Sequence, residues 1–411
     1  MLLFENKKQK LLNILKFIEL NPFDRFVSTG EINEDLGLVP SRQQFLESVI
    51  EVIEGNGNVI LPIIGEVGQG KTHLYWALKH TLHNYNTVYI SLETVYKKFY
   101  YNTYSEFIEN LGIEPEDSVE PLRYLTKRLC DEWGAQERKY GFFQIVNIDK
   151  IKKTALENWS NKFEKKEALM DAITAITTHQ LDPFKKIDAE RWLLGELMAT
   201  RELSRLNLKN DLRKRDNAFV MLKILIENLR KESILFIDDF ERIISIMNPI
   251  DDEAEEIFDP SWLYGNKQSP DKISAEKTFD KILELLSIKG LKIIITLKSL
   301  EYFGEIKKKI EEKNKNLLIL VKNPLDMPSF TEEDVFQLYK EHLDLFFANI
   351  DYKEYSKHFS TSLFPINKKI LKTIFSETQG NPREVIKHLI KIFNEIVISN
   401  EKLEDILKKH Q

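Results

Sequence analysis

"PIIGEVGQGKTHLYWALKH", Pro62 to His80, sets glycines, a lysine and a threonine between an apolar run and a helical pattern. Within it Gly65-Glu66-Val67-Gly68-Gln69-Gly70-Lys71-Thr72 fills every defined position of G-x-x-x-x-G-K-[ST]. The residues before it, NVILPII, are apolar and of strand length. Those after it, HLYWALKHTL, place Leu74, Ala77 and Leu78 at helical spacing. This strand–loop–helix context separates a phosphate-binding loop from a chance glycine-rich turn. The glycines let backbone N–H groups curl around a phosphate, and the helix N-terminus adds partial positive charge. Lys71 is placed to reach the β- and γ-phosphates and Thr72 to ligate Mg²⁺. His73 follows directly and joins Gly65 to Thr72 as a candidate nucleotide-binding residue. Pro62 removes a ladder donor from the strand, which predicts a bulge or an unpaired position there.

Hydrolysis requires carboxylates at the end of a neighbouring strand. Ser233-Ile-Leu-Phe-Ile-Asp238-Asp239-Phe-Glu241-Arg242 supplies them. Ile234 to Ile237 read as a buried parallel strand with two acids at its C-terminal edge, where α/β sheets place their ligands. Asp238 is the candidate Mg²⁺ ligand, with Thr72. Asp239 is the candidate for orienting or deprotonating water, and Glu241 stands as the alternative carboxylate.

Two polar landmarks follow. Leu291-Lys-Ile-Ile-Ile-Thr296-Leu-Lys-Ser299 is another apolar strand, and Thr296 or Ser299 at its end would contact the γ-phosphate or the water. Thr378-Gln-Gly380-Asn-Pro-Arg383-Glu-Val marks a helix start with Arg383 in its first turn. An arginine there opposes the helix dipole, which favours a phosphate-facing role over an ordinary surface position.

Together these four elements resemble an AAA+ ATPase with Walker A, Walker B, sensor 1 and sensor 2. TQGNPREV resembles sensor 2 on the origin-recognition side of that superfamily. NPFDRFVSTGEINEDLGLVPSRQQFLESV is similar to the segment that borders the adenine there, through Asn21-Pro22-Phe23 and Pro40-Ser41-Arg42. Residues 185–245 resemble the ATP-binding proteins associated with BREX phage-defence systems, in which a W-x-x-G-E element (here Trp192, Gly195 and Glu196) precedes the Walker B strand. Asp239 stands where both groups usually carry Glu. The resemblance implies an α/β fold: an AAA+ P-loop NTPase core, a parallel sheet flanked by helices, with a large helical insertion and a C-terminal helical lid. It implies ATP and Mg²⁺ as cofactors, Lys71, Asp239, Glu241, Thr296 and Arg383 in catalysis, and an arginine finger from a neighbouring subunit. Arg242 and the KKKIEEKNKN segment are the finger candidates.

The expected organisation runs outward from the loop. Residues 1–45 hold an amphipathic helix, with Leu11, Leu15 and Ile18 on one face, and the adenine-side segment. The first half of the core spans 46–99, including a strand from Thr87 to Leu92. The wait until residue 233 for the acidic strand requires a helical insertion, 100–220, and the periodicity of VEPLRYLTKRLCDEW and KFEKKEALMDAITAITTHQ agrees. The second half of the core spans 221–329, with Asn248 to Lys272 read as a mobile loop. The lid spans 330–411 and opens with a capping Ser329 or Thr331.

The 411 residues carry one cysteine, Cys130, and a formal net charge of -6. That excludes an intrachain disulfide and a globally basic nucleic-acid coat, and points to the cytoplasm. The apolar start, MLLF, is too short for a signal peptide, and no run approaches the roughly 18 residues of a membrane span. His73, His80 and His83 lack further ligands at metal spacing. Arg213-Lys214-Arg215 and Lys307-Lys308-Lys309 are either phosphate-backbone contacts or solvated helix faces. The expectation is an ATPase, homo-oligomeric and free of membrane, acting with double-stranded DNA and partner proteins in phage defence. The alternatives are a slow, nucleotide-switched scaffold like the AAA+ transposition regulators, and a signalling ATPase without nucleic acid. A winged helix, common beyond the lid in origin-recognition relatives, is not expected here.

Overall fold

The computed structural model describes residues 2–23, 38–92, 98–111, 121–135, 147–248, 270–352, 355, 358–359 and 363–411. The adenine-side stretch 24–37 lies outside them, as does 249–269 of the loop expected from Asn248 to Lys272.

Helix α1 (Leu2–Ile18) and α2 (Pro40–Ile53) precede strand β1 (Val59–Ile64), α3 (Lys71–Thr81) and β2 (Tyr85–Ser91). A helical stretch follows: α4 (Phe99–Asn110), α5 (Pro121–Cys130), α6 (Ile148–Trp159), α7 (Lys166–Leu181), α8 (Lys186–Leu193), α9 (Thr200–Leu206) and α10 (Arg215–Asn228). Then come β3 (Glu232–Asp238), α11 (Glu241–Met247), α12 (Pro270–Leu285), β4 (Leu291–Leu297), α13 (Leu300–Asn314) and the short β5 (Leu325–Asp326). Helices α14 (Glu332–Asn349), α15 (Lys368–Thr378), α16 (Pro382–Ile398) and α17 (Leu403–Lys409) close the chain.

Among the described residues the strands form one parallel sheet in the order β2-β3-β4-β1-β5. β4 lies between the strand that feeds the glycine loop and the strand that ends in Asp238. Parallel strands share one C-terminal edge, so the loop after β1, the acids after β3 and Thr296 of β4 converge there. The central strands carry apolar runs, Val59–Ile64 in β1, 234–237 in β3 and 293–295 in β4, because both faces are covered. Leu61, Ile63, Ile234, Phe236 and Ile294 pack with α2 and α3 on one face. Ile60, Ile64, Leu235, Ile237, Ile293 and Ile295 face the other and share one apolar cluster with the helices between β2 and β3. The helical stretch is therefore continuous with the sheet's covering layer. A separate cluster joins α1, through Leu11 and Leu15, to the C-terminal helices.

Pro62 makes no bulge. It sits in unbroken register opposite Ile295 of β4. Gly65 N–H donates to Leu297 of β4, whereas the carbonyls of Ile60 and Ile64 accept from Lys322 and Met327 on the β5 side. Alternation turns Pro62 toward β5 as well, and β5 begins only at Leu325, opposite Ile63. The missing donor thus faces a gap in the ladder. Among the described residues no helix is long and apolar enough to cross a membrane.

Candidate phosphate-binding and acidic site

The loop from Gly65 to Gly70 is shaped by two glycines in the left-handed region, Gly68 (φ 86°) and Gly70 (φ 92°). Gly70 is the N-cap of α3, so helix polarity and the loop amides point the same way. Among the described residues, the N–H groups of Gly68, Gly70, Lys71 and Thr72 donate to no protein acceptor. Such a row of unspent donors at a helix start is what an anionic ligand needs. Gln69 braces the loop from within: its Oε1 accepts from Glu66 N–H at 2.8 Å. A side chain at Gly65 would push Gln69 out of this brace, since an added Cβ would lie 2.8 Å from that same oxygen.

Lys71 Nζ folds back onto the carbonyls of Gly65 (2.6 Å) and Glu66 (3.2 Å). Burial lowers its pKa, and three carboxylates oppose that shift: Glu241 most, then Asp238 and Asp239. Thr72 Oγ1 donates to Asp238 Oδ2 at 2.8 Å, joining the loop to the end of β3 across 166 positions. Thr296 Oγ1 donates to the other oxygen of Asp238. Asp238 is 3% exposed and Thr296 fully buried. Ser299 instead takes the N-cap position of α13.

Asp239 adopts φ 56°, a left-handed conformation that few non-glycine residues hold without local support. The support is visible. Its N–H donates to Asp238 Oδ1 and Thr296 Oγ1, both at 3.1 Å, and its Oδ2 accepts from Ser91 Oγ at 3.1 Å. Glu241 opens α11, is 3% exposed, and has its Oε1 4.0 Å from Lys298 Nζ. Burial raises its pKa, which its own backbone N–H and Lys71 only partly offset.

The chain matches no protein-family model and no curated protein.

Arg383 reaches the loop from the C-terminal helices. Asn381 caps α16 with its side chain and Pro382 takes the first position. Arg383 N–H donates to Gly68 O at 3.2 Å and Asn381 Nδ2 to Val67 O at 3.0 Å. The fit is close: a Cβ on Gly68 would come within 2.8 Å of Arg383 Cβ. The Arg383 side chain itself is exposed. His73, in the first turn of α3, is half-buried, and its charge adds to the lowering of the His342 pKa in α14.

Other residues singled out in the sequence make contacts away from the glycine loop. Phe23 is buried in the C-terminal cluster, stacked on His342 at 5.2 Å between ring centroids. Trp192, Gly195 and Glu196 lie among the helices and not at the sheet edge. Trp192 Nε1 donates to Asn210 O, Tyr101 OH to Gly195 O, and Glu196 pairs with Arg191. Lys214 pairs with Glu167 and Arg215 with Glu284 at the surface.

Two residues at the site, Tyr89 and Ser91, were not candidates from the sequence, and Arg42 was marked there only by resemblance to the segment that borders the adenine. Tyr89 OH donates to Asp238 Oδ2 at 3.0 Å, its ring held against Tyr75 and Phe236. Ser91 holds Asp239 from the same strand, two residues on. Arg42 is buried, and its Nη2 donates to Gln69 O at 2.7 Å while its guanidinium lies over the Phe330 ring. Burial pulls its pKa down to about 10, and Asp334 opposes the shift. Along β2 the polar Thr87, Tyr89 and Ser91 alternate with Val88 and Ile90, and that alternation was the available signal.

The oxygens of Thr72 and Asp238 suit Mg²⁺, a hard cation commonly held by one or two protein oxygens together with phosphate and water. The donor row and Lys71 suit a triphosphate. A metal held there would supply charge neutralisation at a bound phosphate.

Proposed function

We propose that the chain is an ATP-binding and ATP-hydrolysing P-loop protein of the AAA+ type. The observation that carries the reading is the 2.8 Å bond from Thr72 to Asp238, which joins a complete phosphate-binding loop to the acidic end of β3. The parallel sheet, with Thr296 of β4 between the two, agrees with it. So does α16, whose first turn rests on Gly68. Lys71 binds and neutralises phosphate, Thr72 and Asp238 hold Mg²⁺, a carboxylate after β3 orders water, and Arg383 couples the C-terminal helices, as a lid, to the bound nucleotide. On the resemblance of residues 185–245 we place the activity in phage defence, with partner proteins, double-stranded DNA and a homo-oligomer. That setting rests on the resemblance alone.

A second reading, a slow nucleotide-switched scaffold, is favoured by one observation: Asp239, the residue next to Asp238, is short and tethered by Ser91. Steady-state ATP hydrolysis with and without double-stranded DNA separates the two, with Lys71→Ala as the blank. Hydrolysis stimulated by DNA and absent from Lys71→Ala is the expected result. ATP binding with negligible turnover in both conditions would leave the scaffold. No ATP binding at all would remove both readings.

A further inference from the structure

Two acids compete for one role after Asp238, and the strand order separates them. β3 has β2 on one flank and β4 on the other, with β1 and the glycine loop beyond β4. Ser91 of β2 holds the Asp239 carboxylate on the β2 flank, away from that loop. Glu241 lies on the opposite flank, its Oε1 4.0 Å from Lys298, the residue that follows β4. Among the described residues its Oε2 is buried and accepts no hydrogen bond. Of the three acids it also acts most strongly on Lys71.

We propose that Glu241, not Asp239, is the catalytic carboxylate of the hydrolysis inferred above, and that Asp239 is a positioning residue. This rests on the ATPase reading. A water oxygen attacks the γ-phosphorus while Glu241 takes a proton from that water. The bond from phosphorus to the bridging oxygen breaks, and its electron pair leaves with ADP. Glu241 then releases the proton, so water and ATP become ADP, phosphate and a proton. Asp239 fixes the turn: its left-handed backbone and two N–H bonds set Asp238 and Thr296, and Ser91 holds its side chain aside. A buried carboxylate oxygen without a partner weakens the fold, a cost that functional sites commonly carry.

The test uses the full chain with Mg²⁺ and measures ATP turnover, binding of a fluorescent ATP analogue, and melting without nucleotide. Glu241→Gln should keep analogue affinity within about threefold, lose on the order of 100-fold or more in turnover, and melt higher than the parent. Asp239→Asn should lose less than about tenfold in turnover, because its amide contacts remain. A Glu241→Gln variant that hydrolyses at the parent rate would overturn the assignment, as would an Asp239→Asn loss as large as that of Glu241→Gln. Lower melting of Glu241→Gln with unchanged turnover would make Glu241 a structural residue. Analogue binding by the parent with no turnover would overturn the hydrolysis reading and this assignment together.

Discussion

His342 shows how one buried side chain ties the C-terminal helices to solution conditions. It is almost fully buried in α14, stacked on Phe23, and burial drives its pKa down to about 3, with His73 adding a smaller push. In the unfolded chain it titrates near 6.5. Between those values the unfolded state holds a proton that the folded state refuses. Stability from this residue is therefore complete above pH 6.5 and is lost as pH falls toward 3. The slope has a ceiling of about 1.4 kcal/mol per pH unit. Urea midpoints measured from pH 7.5 to 4.5 should fall more steeply for the parent than for His342→Leu. Parallel curves for the two proteins would show that His342 is not held neutral in the fold.

At the residue scale the sequence was legible wherever the chemistry is local. Gly65 to Thr72 form a contiguous motif, and its geometry follows from glycine φ values and helix polarity. Asp238 was legible because the apolar run 234–237 ends on it. Tyr89 and Ser91 were not, nor was the bond from Arg42 to Gln69, because these contacts span 149, 148 and 27 positions. Nothing in the spacing reveals which strands become neighbours. The choice between Asp239 and Glu241 turns on the same fact, since it depends on β2 lying on one side of β3 and β4 on the other.

Among the elements, the α15–α16 turn is the tightest joint. Gly380 has φ 73°, and a Cβ there would lie 2.1 Å from the Phe330 carbonyl oxygen. Phe330 N–H donates to Gly380 O at 2.8 Å, so backbone meets backbone and no side chain can give way. Gly380→Ala should cost more than the roughly 1–2 kcal/mol of left-handed backbone strain alone. The check is a thermal melt of the C-terminal helices alongside analogue binding, with loss of both expected. The sequence marked this turn through Gly380 and Pro382, and it marked the cap before α14. Thr331 and Asp334 form that cap reciprocally, resolving the choice between Ser329 and Thr331. It did not mark Lys292, a lysine 1% exposed in β4, whose Nζ donates to Gly55 O and Gly57 O at 2.6 Å. A charge inside an apolar strand is readable only when its distant acceptors are known.

Across the whole molecule, the described apolar residues form two clusters on the faces of the sheet and a third that binds α1 to the C-terminal helices. The third meets the core largely through polar contacts. Asn381 and Arg383 reach the glycine loop, and Ser41 N–H donates to Asp334. Arg42 spans the joint, bonded to Gln69 and lying over Phe330. An interface of this kind transmits ligand binding only while its few hydrogen bonds hold. ATP at 100 times its dissociation constant stabilises the state that binds it by about 2.7 kcal/mol. In the parent, calorimetry should show both the core and the C-terminal helices melting later with ATP and Mg²⁺. Asn381→Ala removes the α16 cap and the contact to Val67 O together. The cap alone is worth about 0.5–2 kcal/mol. In that variant the nucleotide should still raise the melting of the core, while the C-terminal helices melt early and independently of it. Equal ATP-induced shifts for both parts in Asn381→Ala would mean that the coupling runs through Arg383 or Arg42, with the α16 cap contributing only local stability.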